Sequence, residues 1–124
     1  MKIEEAVKGI QTYREKIHKQ DMWDDPISLS DTMTKLAVYN SYLADNIAPL
    51  HKRATDKQYG VFLECTNKDL PVTKAEVMSR GESTQQRHDY ENVQHIYKAT
   101  ANLITVLQSR LRTIENARRQ EGIE

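Results

Sequence analysis

The fold is decided by a stretch in the first half of the chain, KLAVYNSYLADNIAPLHKRA, residues 35–54. Seam positions recur in it with heptad spacing, and they are occupied by Leu36, Asn40, Leu43, Ile47, Leu50 and Ala54. This spacing predicts a helix with one coiled-coil-like seam that a second helix has to cover. Pro49 falls inside the seam. Because proline removes a backbone donor and crowds the preceding turn, we expect a kink or a break there.

Outward from this stretch, the pattern predicts a helix over residues 30–64, capped by Ser28 or Ser30. The segment that follows, CTNKDLPVT, covers residues 65–73 and is rich in turn-forming residues. We expect it to form a loop between two helices.

A second long helix is predicted over residues 74–119, because Thr73 and Glu76 form a capping box and no proline follows them. At about 1.5 Å per residue it would be roughly 70 Å long, which is too long for a compact globule of this size. Its second half has heptad positions at Ile96, Thr100, Leu103, Leu107, Arg110, Ile114 and Ala117. We therefore expect a partner helix to cover this stripe.

The amino-terminal part is predicted to form one shorter helix and a connector. Apolar residues recur at three- and four-residue steps over residues 2–20, which is typical of an amphipathic helix. The connector spans residues 21–29, where Pro26 and a group of acids interrupt this period. Trp23 is expected to anchor the connector by packing against the helices.

Together these segments predict a single all-α domain over residues 1–124, with long antiparallel helices and coiled-coil-like packing. Apolar residues make up 38% of the chain, with one Phe and one Trp, so a compact monomer would have a thin core. We therefore expect a homo-oligomer. The residues predicted to make helix or subunit contacts are Leu36, Leu43, Ile47, Leu50, Ile96, Leu103, Leu107 and Ile114.

Charge and motifs narrow the possible classes of function. The 18 Lys and Arg residues equal the 18 Asp and Glu residues, so electrostatic binding has to come from local clusters. The sequence has no P-loop, dinucleotide fingerprint, nucleophile elbow or HExxH motif, and we expect neither enzyme activity nor a cofactor. The single cysteine, Cys65, excludes an internal disulfide and a multi-cysteine zinc site.

One group of residues has a spacing that metal ligands can adopt. His88, Glu91 and His95 lie at i, i+3 and i+7, on one face of the second long helix. No second pair of carboxylate and histidine accompanies them. Surface polar residues are therefore the favoured interpretation, and no metal site is predicted.

Two clusters of cations are candidates for binding an anion. Lys52, Arg53 and Lys57 lie near Tyr59, so cations could neutralise phosphates while a ring stacks on an exposed base. The simpler alternative, which the residues alone favour, is a charged helix end with Tyr59 and Phe62 in the core. The dipole at the end of the last helix explains the second cluster, which consists of Lys98, Arg110, Arg112, Arg118 and Arg119.

The order of these features resembles the UvsY-type recombination mediators of phages. The resemblance begins with KLAVYNSYLADNIAPLHKRATDKQYG, residues 35–60, which is similar to that family's long helix ending in a basic, tyrosine-containing turn. Residues 72–119 resemble the family's long return helix with its basic end. The resemblance covers residues 30–120. The family's glycine-rich continuation of the basic turn is absent, and residues 2–20 have no counterpart.

This resemblance implies a non-enzymatic accessory protein of homologous recombination that assembles into rings and binds single-stranded DNA. Such a protein helps a RecA-like recombinase to replace a single-strand-binding protein. The resemblance maps the DNA contact onto Lys52, Arg53, Lys57 and Tyr59. We expect the protein in the cytoplasm of a bacterial host cell and not in a membrane, since no stretch is apolar enough for a membrane span or a signal.

The alternative function is a helical protein-binding module, such as a phage inhibitor of a host protein or an assembly adaptor. It requires only the apolar stripes and exposed acids such as Asp21, Asp24 and Asp25. Whether the purified protein binds an oligonucleotide distinguishes the two hypotheses.

Overall fold

The computed structural model describes residues 1–123, which form four α-helices and one short 3₁₀ helix. They are α1 (Ile3–Ile17), the 3₁₀ helix (Gln20–Asp24), α2 (Pro26–Asn67), α3 (Val72–Glu82) and α4 (Thr84–Ile123). These residues contain no β-strand, so the predicted all-α class is confirmed.

The predicted connector at residues 21–29 is mostly helical, because α2 begins earlier than expected. Asp25 caps α2: its Oδ1 accepts the amide of Ile27 at 3.1 Å, and its Oδ2 accepts the hydroxyl of Ser28 at 2.7 Å. Pro26 follows at the first helical position, where no backbone donor is needed. The predicted serine cap is therefore wrong, since Ser28 donates to the residue that caps the helix.

Helix α2 continues through Pro49 without a break, and it extends past both ends of the predicted range 30–64. Proline leaves the carbonyl of Asp45 without its helical donor. Both Pro49 and Asp45 are exposed, so water can reach that carbonyl, while the next residue, Leu50, is buried. The alternative of two separate helices is wrong.

Helix α2 ends in a Schellman motif. The amide of Leu70 donates to the carbonyl of Cys65, and the amide of Asp69 donates to the carbonyl of Thr66, both at 3.1 Å. Asp69 has a φ of 59°, the left-handed conformation that this motif requires. Because α2 and α3 both extend into the predicted loop 65–73, only a short turn separates them.

Helix α3 begins at Val72 rather than at residue 74. Its cap is Pro71, whose carbonyl accepts the amide of Ala75 at 2.9 Å, and no side chain provides a capping hydrogen bond. The capping box predicted for Thr73 and Glu76 is therefore wrong.

The predicted helix over residues 74–119 is interrupted at Ser83. The carbonyl of Arg80 accepts three side-chain donors there: Ser83 Oγ at 3.3 Å, Thr84 Oγ1 at 3.1 Å and Arg87 Nη2 at 3.0 Å. Side-chain donors of this kind compete with the backbone for a helix carbonyl. The sequence pattern indicates the spacing of apolar residues and the positions of prolines. It does not indicate this competition for the carbonyl.

Packing divides the chain into two compact units. The first unit contains Met1–Leu43 together with the chain from Ile96 onward, and the second unit is Ala44–His95.

The first unit is built from α1, the 3₁₀ helix, the first part of α2 and the second part of α4. Asn40 Nδ2 donates to the carbonyl of Tyr97 at 3.3 Å, and Arg110 Nε donates to the carbonyl of Trp23 at 2.8 Å. In this unit α2 and α4 therefore run antiparallel, as predicted. The apolar side chains buried here are Ala6, Ile10, Ile17, Leu29, Leu36, Leu43 and Leu107.

The second unit contains the rest of α2, the short turn, α3 and the start of α4. The ring centroids of His51 and Tyr90 are 4.8 Å apart, so α2 contacts α4 directly. A small cluster of Val61, Cys65 and Ala75 forms a core between α2 and α3. The partly buried side chains that pack against this cluster are Phe62, Leu70 and Met78.

Candidate nucleic-acid interface

All four residues predicted to contact DNA are exposed on α2, within the second unit. Lys52, Arg53 and Lys57 are exposed, and the side chain of Tyr59 is 62% exposed. The alternative that places Tyr59 in the core is therefore wrong. Phe62 is only partly buried, and it packs against the cluster of Val61, Cys65 and Ala75. Below, the exposed surface of Lys52, Arg53, Lys57 and Tyr59 is called the basic aromatic face.

Helical geometry divides this face into two stripes. At about 3.6 residues per turn, Lys52 and Tyr59 lie two turns apart in one stripe, whereas Arg53 and Lys57 form a second stripe about 100–160° further around the helix. The rise of about 1.5 Å per residue places Tyr59 roughly 10 Å from Lys52 along the helix axis. A cation and an exposed ring therefore follow each other in one line along α2.

The charges on this face are only partly compensated by neighbouring acids. Lys52 Nζ lies 3.3 Å from Asp56 Oδ2, in a pair whose side chains are 78% and 64% exposed. Such an exposed pair adds little to stability, but it lowers the positive potential around Lys52. Among the described residues, Arg53 and Lys57 have no carboxylate within ion-pair distance.

A groove beside Tyr59 separates α2 from α3 and has a volume of about 400 Å³. Its walls are Thr55, Gln58, Tyr59 and Phe62 from α2, and Glu76, Ser79 and Arg80 from α3. Arg80 is exposed and adds a cation to the groove that Tyr59 also lines. Arg80 could not be found from the sequence, because a residue on another helix shares no spacing pattern with the basic aromatic face.

Small residues allow α3 to lie close to α2 along this groove. Ala75 and Ser79 are almost fully buried, and the hydroxyl of Ser79 donates to the carbonyl of Glu76 at 2.9 Å. The backbone at Arg80 is held by the three donors that end α3. The groove therefore combines buried small residues of α3 with the exposed charged side chains of Glu76 and Arg80.

The histidines of the second unit lie in different surroundings. His51 contacts the ring of Tyr90, so it ties α2 to α4. His88, Glu91 and His95 are all exposed on α4. Among the side chains that the structure describes, no three or more His, Cys, Asp or Glu form a group that could hold a metal ion.

The residues predicted for helix or subunit contacts are mostly used within the chain. Leu36, Leu43 and Leu107 have no exposed surface, and Leu50 is 7% exposed. The other four are partly buried, namely Ile47, Ile96, Leu103 and Ile114. Packing inside one chain accounts for the fully buried members, so a partner chain is not needed to cover them.

The acids of the connector are bound within the chain. Asp24 Oδ1 lies 2.6 Å from Arg110 Nη2. Asp25 caps α2, and the hydroxyl of Ser28, followed by the amide of Ile27, holds the pKa of its carboxyl below the ordinary value. Arg110 thus pairs inside the first unit, while Arg118 and Arg119 remain exposed at the end of α4. The side chain of Asp21 lies outside the described part of the structure.

Comparisons with known protein families, with well-described individual proteins and with solved structures gave no match to this chain. The resemblance to the UvsY-type mediators therefore stays a prediction from the residues. Within the described chain, no helix is both long enough and apolar enough to cross a lipid bilayer.

Proposed function

We propose that this protein binds single-stranded DNA, without making or breaking a bond, through the basic aromatic face of α2. The observation that carries the proposal is the 62% exposure of Tyr59 in line with Lys52, on a helix segment where Arg53 and Lys57 are exposed as well. A tyrosine that only filled the core would be buried. An exposed ring beside cations is the arrangement that single-strand binders use, with bases stacked on the ring and phosphates at the cations.

The spacing of these groups supports a strand lying along α2. Roughly 10 Å separates Lys52 from Tyr59 along the helix, so one extended strand can reach both groups. In the second unit, however, acids are at least as numerous as bases, and the affinity of one chain is expected to be weak. Self-association would repeat the face and raise the effective affinity, and we include a homo-oligomer in the proposal.

The finer proposal is an accessory role in homologous recombination in a phage-infected bacterium. It is supported by the layout of residues 30–120, which resembles the UvsY-type mediators. In this role the protein holds single-stranded DNA in the cytoplasm while a RecA-like recombinase replaces a single-strand-binding protein. The protein partner would then bind a surface other than the basic aromatic face.

Fluorescence anisotropy with a labelled poly-thymidine oligonucleotide tests the DNA contact. The variant Lys52→Gln/Arg53→Gln removes two charges from the face, and Arg118→Gln/Arg119→Gln removes two exposed charges from the end of α4 as a matched control. Because phosphate contacts release counterions, we expect the first variant to bind at least about tenfold more weakly at low salt and to show a shallower salt dependence. The control should keep most of the wild-type affinity.

Equal losses of affinity in the two double variants would contradict the assignment of the face, since net charge alone would then explain binding.

A single substitution, Asp56→Asn, gives a second prediction with the opposite sign. It removes the acid that pairs with Lys52 at 3.3 Å, so the affinity for DNA should rise. An unchanged affinity would show that Lys52 takes no part in the contact.

Exposed apolar side chains favour a second candidate, a protein-binding module. Ile27 is 81% exposed at the start of α2, and Val72 and Val77 are 59% and 67% exposed on α3. The acids proposed for this role are weaker support, because Asp24 and Asp25 are bound within the chain. A wild-type protein that ignores every oligonucleotide at low salt would favour this candidate over DNA binding.

A further inference from the structure

We infer that the groove between α2 and α3 binds one base of the DNA strand and prefers a base that carries an exocyclic amino group. This inference rests on the proposed DNA binding and adds base preference to it. The basic aromatic face can hold a strand of any sequence, because phosphates and ring faces are common to all nucleotides. The groove differs from that face because it also contains a carboxylate.

The groove has the size and the walls that one base requires. Its volume of about 400 Å³ exceeds that of a single base, and Tyr59 and Phe62 provide aromatic surface on the α2 side. Arg80 lies on the α3 side, where its guanidinium can pair with a phosphate or stack on the base. A base that turns from α2 into the groove at Tyr59 therefore stays close to a cation.

Glu76 provides the selectivity. An ionised carboxylate only accepts hydrogen bonds, and Glu76 is an exposed wall residue of the groove. Cytosine, adenine and guanine each carry an exocyclic amino group, which can donate to a carboxylate. Thymine presents a carbonyl oxygen at the corresponding position, and this oxygen repels the carboxylate. The groove therefore favours bases with an exocyclic amino group over thymine.

The uncharged polar side chains of the groove are Thr55, Gln58, Tyr59 and Ser79. Each of them can donate to or accept from a base, so none distinguishes a donor edge from an acceptor edge. Among the groove residues, only Glu76 carries a negative charge, and the preference is assigned to this side chain.

Paired affinity measurements on oligo-deoxycytidine and oligo-deoxythymidine of equal length test the inference. They are made at low salt and mildly alkaline pH, where cytosine is neutral. We expect wild-type protein to bind the cytidine strand about fivefold more tightly, near the lower end of what a base-edge hydrogen bond discriminates. Glu76→Gln should bring the two affinities close together, because an amide can donate to thymine as well as accept from cytosine.

Glu82→Gln is the matched control. Glu82 is exposed, lies on the same helix and is not a wall residue of the groove, so its substitution makes the same change in charge. Both variants should bind all DNA somewhat more tightly, and only Glu76→Gln should lose the preference. The ratio of the two affinities is therefore the quantity to compare.

A wild-type ratio near one, or an equal ratio in the two glutamine variants, would overturn the groove assignment while DNA binding itself remained intact. A protein that bound neither strand would overturn the proposed function together with this inference. Retention of the preference in Arg80→Ala with loss of overall affinity would support the division of roles between Arg80 and Glu76.

Discussion

The two units use their large apolar side chains in different ways. In the first unit Ile10, Leu29, Leu36 and Leu107 have between 0% and 1% of their surface exposed. In the second unit the buried apolar residues are mostly small, as in the cluster of Val61, Cys65 and Ala75. Leu50 is buried there as well, but Tyr59 and Leu63 of the same helix are 62% and 41% exposed.

This difference indicates that the two parts of helix α2 have different roles. Its first part buries a leucine every seven residues, which fixes the helix in the first unit. Its second part carries the basic aromatic face and one wall of the groove. Stability should therefore depend most on substitutions in the first unit, and ligand binding on substitutions in the second.

The largest expected effect is a truncation of a buried leucine. Leu36→Ala should lower the free energy of unfolding by about 3 kcal/mol, because it removes a fully buried side chain and leaves a cavity. Leu63→Ala makes the same chemical change on the same helix, at a side chain that is 41% exposed. It should lower stability by less than about 1 kcal/mol. Urea unfolding followed by circular dichroism measures both, and equal losses would contradict the comparison of the two units.

Two helical glycines provide the next largest contrast. A Cβ at Gly9 would overlap the ring of Tyr39, whereas a Cβ at Gly60 would meet no atom of a neighbouring group. Gly9→Ala should therefore destabilise the protein by about 1–2 kcal/mol, since the overlap outweighs the gain in helix propensity. Gly60→Ala should stabilise it by about 0.5–1 kcal/mol. Thermal unfolding gives the sign of each change.

The close approach at Gly9 can be tested in isolation. If the ring of Tyr39 causes the loss, Tyr39→Leu should make the Gly9→Ala substitution much less harmful in a double-mutant cycle. Independent, additive losses would show that α1 does not contact α2 at this point.

The smallest expected effect concerns acid sensitivity at the start of α2. The pKa of Asp25 lies below its ordinary value in the folded protein, so its ionised form stabilises the fold above about pH 4. This contribution is lost as the pH falls through the ordinary value toward the lowered one. Asp25→Asn should reduce the loss of Tm in this acid range, and Ser28→Ala should reduce it in part. A pH profile of Tm identical to that of the wild type would contradict the role of Asp25.

Much of the fold was predictable because heptad spacing is a local signal. Leu36, Leu43 and Leu50 are buried as the pattern requires, and Leu107 is buried on the return helix. The ends of the helices were less predictable. Asp25, Pro71 and Ser83 determine them through hydrogen bonds and turn geometry, to which apolar spacing is insensitive.

The candidate site was predictable only where its residues are neighbours in the sequence. Lys52, Arg53, Lys57 and Tyr59 form one cluster on one helix, and a count of charges and rings finds them. Whether Tyr59 faced the core or the solvent depended on how α3 packs, so the residues alone favoured the wrong alternative. Glu76 and Arg80 join the site across the turn between α2 and α3, and no local pattern connects them to Tyr59.

DNA binding through the basic aromatic face is tested most directly by photocrosslinking the wild-type protein to a single-stranded oligonucleotide that carries 5-iodouracil. Trypsin digestion and mass spectrometry then identify the crosslinked peptide. Cleavage after Lys57 and Lys68 releases residues 58–68, a peptide that contains both Tyr59 and Phe62. We expect this to be the main crosslinked peptide, and we expect Tyr59→Ala to reduce its yield. Crosslinks confined to the basic end of α4, or none at low salt, would contradict DNA binding through the basic aromatic face.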